Sequence, residues 1–208
     1  LKTLLNNNSI SVNSQVTFDN LEPISAFLGK VGNPEEGGLP IDEFARRQAL
    51  FMAAETKAMY DVPAFIEHAL NQGQEHFIND AGGSLCELTD NRVYEVLAEH
   101  TLILYIKTSN ANEKMLIDRA QKRPKPLYYQ TEFLQWALSD YLEEKKLSYV
   151  AQIDPDDFVR WVFPKLVANR LPKYQAIADQ FGYTLSSDAL YQCKTNDDVF
   201  NLIDEALD

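Results

Sequence analysis

Residues 76–88, HFINDAGGSLCEL, set a carboxylate, Asp80, just ahead of a glycine pair, Gly82 and Gly83, after a short apolar run. Two chemistries fit this order. Paired glycines make a tight turn, or they let the backbone come close to a phosphate or small polar ligand beside an acid. A second stretch supplies the opposite charge, with Lys114, Arg119, Lys122, Arg123 and Lys125 close together in sequence. Arg46 and Arg47 are adjacent and so face different sides of a helix. One of them can hold an anionic substrate as a two-pronged fork while the other is solvated. His68, His76 and His100 fall at helix ends or before strands and read as structural or exposed residues. Cys86 reads as a small buried apolar residue.

Charge narrows the ligands these groups can serve. The 208 residues include 31 acids against 19 Lys and Arg, a net charge of −12. Such a field repels nucleic acid. A single basic stretch on an acidic protein suits a small anionic molecule or nucleotide better than a long polyanion. The hydrophobic content of 45% and charged content of 24% are those of an ordinary globular chain. No apolar run approaches the roughly 18 residues of a membrane span. Cys86 and Cys193 are far apart and form no Cys-x-x-Cys pair, so neither a disulfide framework nor a zinc site is indicated. A reducing cytoplasm is the simplest setting.

The elements that must position these residues alternate. SQVTFDN (14–20) is β-like and ends at Asp19, and VGNPEEGGLP (31–40) is a loop by its glycines and prolines. Residues 41–60 carry Ile41, Phe44, Ala49, Met52 and Met59 on or near one helical face. A second helix opens at Asp61 and Pro63, and the run before the glycine turn (76–80) reads as a strand. Another helix (90–100) leads to TLILYIKTS (101–109), a continuous β-branched run of the kind buried on both faces of a parallel sheet. Helices follow to Pro124 and over 131–146. A third, from Asp154 as cap with Pro155 at its first position, is broken into pieces by Pro164 and Pro172. A short strand (183–187) and a C-terminal helix complete an α/β order with a mainly parallel sheet.

Four stretches resemble the shikimate kinase-like branch of the P-loop kinases, which includes gluconate kinases. These are TFDNLEPISAFLGKVGNPEEGGLPIDEFARRQALFMAAE, INDAGGSLCEL, LILYIKTSNANEKMLIDRAQKRPKPL and NRLPKYQAIADQFGYTLSSDALYQCKTNDDVFNLIDEAL. They cover most of the chain and leave residues 128–168 as a helical insertion in the lid region. The resemblance implies one three-layer, P-loop NTPase-like parallel sheet flanked by helices. It implies an ATP-dependent phosphotransferase or ATPase that uses Mg²⁺ and acts on a small polar substrate. By the same resemblance Asp19 orients the acceptor hydroxyl, Arg119 and Arg123 neutralise charge on the transferred phosphoryl group, and Lys122 faces the nucleotide. Arg46, Asp80, Gly82, Gly83 and Arg170 then hold the substrate. The phosphate loop G-x-x-x-x-G-K-[ST] is missing, and GKVG (29–32) has neither its spacing nor its hydroxyl. LKTLLNNN resembles the tail of the helix that would follow that loop, with its beginning upstream of Leu1. Weak ATP binding by these residues alone is therefore expected. A nucleotide-free or nucleotide-sensing interaction module, with its protein partner on the acidic surface or the insertion, is the competing expectation.

Overall fold

The computed structural model describes residues 26–207. They are mostly helical (68%), with one two-stranded parallel sheet. Helix α1 (Ile41–Tyr60) starts behind Pro40 with Asp42 and Glu43 in its first turn, where the helix dipole favours acids. Helices α2 (Val62–Asn71) and α3 (Arg92–His100) lead to strand β1 (Ile103–Lys107). Helix α4 (Asn110–Lys122) is capped by Ser109, whose hydroxyl accepts the Asn112 N–H. Then come α5 (Thr131–Lys145), α6 (Pro155–Phe181), β2 (Gly182–Ser186), α7 (Ser187–Gln192) and α8 (Asn196–Leu207).

The three-layer sheet implied by the resemblance is not the architecture of these residues. β1 and β2 pair in parallel, from Ile103 opposite Gly182 to Lys107 opposite Ser186, and no third strand joins them among the described residues. Residues 76–80, read as a strand, are irregular and exposed, with Ile78 at 89% exposure. Two apolar side chains without a neighbouring edge to pair with do not specify a strand. The expected strand at 14–20, with Asp19, lies outside the described residues. The runs at 101–109 and 183–187 do form strands because α6 covers one face of the pair. Tyr105 stacks on Tyr174 at 5.6 Å between ring centroids, and Ile103 packs with Ile177 and Phe181.

Pro164 and Pro172 do not break α6, which runs unbroken through both. A helical proline leaves the carbonyl four residues back without its N–H partner. For Pro164 that carbonyl belongs to Arg160, and it accepts a hydrogen bond from Gln121 Nε2 at 2.8 Å. Arg160 Nε donates in return to the Gln121 carbonyl at 3.0 Å. For Pro172 the carbonyl is that of Ala168, an exposed residue that water can reach. A side chain on another helix thus supplies the bond whose loss the sequence pattern predicts to end the helix.

Two apolar cores lie along α1 and α6. Phe44 of α1 and Phe158, Val162 and Leu166 of α6 join Tyr129, Leu138, Tyr141 and Ile153 in the first. Tyr129, Phe133, Tyr141, Phe158 and Trp161 of the 128–168 segment are engaged there, with Tyr141 edge-on to Phe158 at 5.2 Å, while Trp136 and Tyr149 are exposed. The second core holds Val62, Leu88, Val93, Tyr94 and Leu97, against which Met52 and Met59 of α1 and Ile177 of α6 pack. The loop before α1 is fastened to the first core by the Asn33 N–H donating to the Ile153 carbonyl at 2.8 Å. Gly32, at φ +144, makes that approach feasible, because a Cβ there would meet the same carbonyl oxygen at 2.5 Å.

Gly182 is the close-contact point of the sheet, since a Cβ on it would overlap the Ile103 carbonyl oxygen. Gly182→Ala should therefore destabilise the protein by about 1–3 kcal/mol, read as a lower urea midpoint at constant denaturant slope. An unchanged midpoint would refute the pairing of β1 with β2 at this register.

Candidate functional site

Between the two cores the shared faces of α1 and α6 turn polar. On α1, Gln48 is buried at 5% exposure and clamps the following segment, donating to the Leu127 carbonyl and accepting the Tyr129 N–H at 2.8 Å. On α6, Arg170, Lys173 and Tyr174 stand where the pattern of Phe158, Val162 and Leu166 would continue the apolar stripe. They face the glycine turn. The Leu85 N–H bonds to the Gly82 carbonyl, and a 3-10 turn at Leu85–Glu87 directs Ser84, Cys86 and Glu87 inward.

Glu87 has no exposed surface, and Arg170 Nη2 approaches its Oε2 at 2.5 Å while Nε donates at 3.1 Å. The same Nη2 donates to the Tyr128 carbonyl at 2.8 Å. Lys173 Nζ lies 3.8 Å from the other carboxylate oxygen, and Gln130 Nε2 donates to the Glu87 carbonyl. A charge taken this far from water is tolerable only when paired and hydrogen-bonded.

Gly83 is explained by this neighbourhood, whereas a Cβ on Gly82 would meet only ordinary contacts. Tyr174 Oη donates to the Gly83 carbonyl at 2.5 Å. A Cβ on Gly83 would lie 3.1 Å from that hydroxyl and 3.4 Å from Arg170 Nη1. The close approach is thus to the protein's own α6. Glu55 of α1 flanks the turn on the other side, its Oε1 accepting from Ser84 Oγ at 2.9 Å while its buried Oε2 has no hydrogen-bond partner among the described residues. Burial raises the Glu55 pKa, the Ser84 hydroxyl and the Arg170 charge opposing it. Burial likewise pushes the Cys86 thiol up to about 11, which leaves it a poor nucleophile at neutral pH.

Of the residues singled out from sequence, the structure brings together Gly82, Gly83 and Arg170. Asp80 ends an exposed irregular run. Arg46 is exposed and forked onto Glu43 at 2.7 and 2.9 Å, and hydrogen bonds from Arg46 and Arg47 hold that carboxyl down at about 2. Arg119, Lys122 and Arg123 are exposed on the last turns of α4 and its C-cap, away from the buried pair. Asp19 lies outside the described residues. The sequence reading missed Glu55, Glu87, Gln48 and Tyr174. For Gln48, Glu55 and Tyr174 the signal was a polar group on an otherwise apolar helical stripe, while Glu87, on a 3-10 turn, had no such signal.

A second place combines concavity with charge. At the carboxyl ends of β1 and β2 lies a hollow of about 570 Å³ whose lining includes Ile106, Thr108, Met115, Arg119, Ser187 and Tyr191. Parallel strands bind ligands at this end. The amino-terminal turn of α4 opens here, but Asp188 already occupies it. The Asp188 carboxylate accepts from the Ser109 hydroxyl at 3.1 Å and from Asn112 Nδ2 at 2.9 Å. That is where the helix dipole would otherwise attract a phosphate. Much of the remaining wall is apolar and open, with Ile106, Met115 and Tyr191 at 47%, 60% and 71% exposure.

Among the described residues no three His, Cys, Asp or Glu side chains converge to hold a metal ion, so these residues do not fit a Mg²⁺ site of their own. Nor do they include a glycine-rich cradle of the kind that wraps nucleotide phosphates. No described helix is long and apolar enough to cross a membrane. Comparison with protein-family models, curated proteins and solved structures gives no match. The kinase likeness accordingly rests on its four stretches of sequence.

Arg170→Met should destabilise the fold by about 3–5 kcal/mol, because it strands a fully buried carboxylate. Adding Glu87→Gln should recover most of that loss, so the double-mutant cycle should show strong coupling. Additive losses would mean that the two side chains do not act as a pair. For Glu55 the sign follows from its raised pKa. The folded state holds the proton more tightly than the unfolded chain, so stability falls as pH rises from the ordinary carboxylate range, about 4, through the folded value. Glu55→Gln keeps an acceptor for Ser84 and should abolish that fall, which urea midpoints measured across pH would show. Parallel pH profiles for the two proteins would contradict the assignment.

Proposed function

We propose that this chain is a protein-interaction module whose docking surface is the hollow at the carboxyl ends of β1 and β2. One observation carries the reading: Asp188 already engages the Ser109 and Asn112 side chains at the start of α4, while the remaining hollow exposes Ile106, Met115 and Tyr191 beside Arg119. Contiguous exposed apolar side chains edged by charge mark association surfaces. Arg170 and Arg46 are engaged by Glu87 and Glu43, which removes two of the cations that a substrate anion would require. The 128–168 segment turns its aromatics largely onto its own core, so the hollow is a better partner surface than the insertion. Both cysteines are free, which suits a reducing cytoplasm.

A second reading keeps the activity implied by the resemblance, an ATP-dependent phosphotransferase or ATPase acting on a small polar substrate, without the three-layer sheet. The observation in its favour is Arg119 on the wall of a hollow of about 570 Å³, within the size range of small-molecule sites.

The two readings separate in solution. An apolar anionic dye such as anilinonaphthalene sulfonate should bind the native chain, and Met115→Glu should abolish that binding. Mg-ATP titrated into the same protein should give no saturable heat. Saturable Mg-ATP binding that disappears with Arg119→Ala would overturn the interaction reading in favour of the phosphotransferase.

A further inference from the structure

The basic rim and the most acidic helix of this chain present matching stripes. On α4, Met115, Arg119 and Lys122 follow at i, i+4 and i+7, which puts them on one face, and all three are exposed. Met115 and Arg119 also line the hollow. On α8, Asp197, Phe200, Asp204 and Leu207 follow at i, i+3, i+7 and i+10, again one exposed face. Phe200 is 46% and Leu207 43% exposed, one side of the Phe200 ring resting on His76 at 5.6 Å between centroids and the other facing outward, and no residue of α8 is fully buried. The α8 sequence, NDDVFNLIDEAL, holds four acids and no basic residue. An amphipathic helix of this kind lays its apolar residues into a groove and its charges on the rim. The chain thus carries both halves of one contact.

Within a single copy the main packing of α8 is on other elements than α4. Helix α8 packs on β2 and α7, and α7 contributes Leu190 and Tyr191 to the wall of the hollow. The donating stripe and the receiving hollow therefore lie side by side. A two-fold arrangement of two copies would make both contacts at once, as a closed dimer requires.

We infer that the partner of the hollow is a second copy of this chain, whose α8 seats Phe200 and Leu207 against Met115 and Tyr191 and pairs Asp204 with Arg119. This rests on the interaction reading above and names its partner. With a net charge of −12 two copies repel at long range, so the local match of α8 with α4 supplies the specificity.

Sedimentation equilibrium of the 208-residue chain at low ionic strength should show a mass that doubles with concentration. Arg119→Glu and Asp204→Lys, both on exposed helix faces, should each weaken the dimer by about tenfold or more, with unchanged circular dichroism. An equimolar mixture of the two variants should restore a species of twice the chain mass, since every α8 then meets a groove of opposite charge. A parent that stays monomeric, or variants that dimerise as the parent does, would overturn the inference. If the monomeric chain still takes up the dye in a Met115-dependent way, the docking surface stands and the second copy is the wrong partner. If dye binding is absent as well, the interaction reading falls with it.

Discussion

A buried ion pair sits where the two apolar cores of this protein meet, and the surrounding elements are arranged to make it bearable. Glu87 comes from a 3-10 turn and Arg170 from the middle of α6, and neither charge reaches bulk water in quantity. The desolvation of such a pair largely offsets its attraction, so its main contribution is to fix register. Arg170 also ties down the Tyr128 carbonyl, Gln130 reaches the backbone of Glu87, and Lys173 bonds to Gln130. A slip of α6 by one turn would leave a naked carboxylate inside the protein. Leucines at these positions would allow several packings, whereas the charges allow one.

The glycine turn is a consequence of that geometry. Tyr174 and Arg170 approach so closely that a side chain at Gly83 would have to push them back by a few tenths of an ångström. Two explanations of a glycine pair, close approach to a ligand and close approach to another part of the same chain, leave identical marks in a sequence. Here the second holds, and the residues that made the turn resemble a substrate loop are the ones that pack it.

What could be read from sequence was what local pattern controls. The helices at 41–60 and 131–146 and the strands near 103 and 183 follow from periodicity and β-branching, because apolar stripes have to find cover. What could not be read depended on partners remote in sequence. Pro164 is tolerated because Gln121 supplies a donor from another helix. Residues 76–80 stay irregular because no edge comes alongside. The parallel sheet was extrapolated from two real strands to a full layer, and the described residues do not supply the rest. Among the charged candidates, Arg170 was singled out by the family resemblance of NRLPKY, and its place on an apolar stripe of α6 is what the structure adds. Arg46 and Asp80 were singled out by their places in the stretches that resemble the family, and the structure leaves both at the surface.

Helix α6 is about 40 Å long at 1.5 Å per residue over its 27 residues, and it is the common wall of both cores. Its first half packs on Phe44, Tyr129 and Tyr141, and its second half on the Val62, Val93 and Leu97 cluster. Neither core can come apart without exposing one end of the same rod and loosening the ion pair at its centre. The two cores are thereby joined into one cooperative unit, so amide protons along α6 should share the slowest exchange with solvent. Among the described residues, local opening should favour the irregular stretch before the glycine turn and α8, which has no fully buried residue.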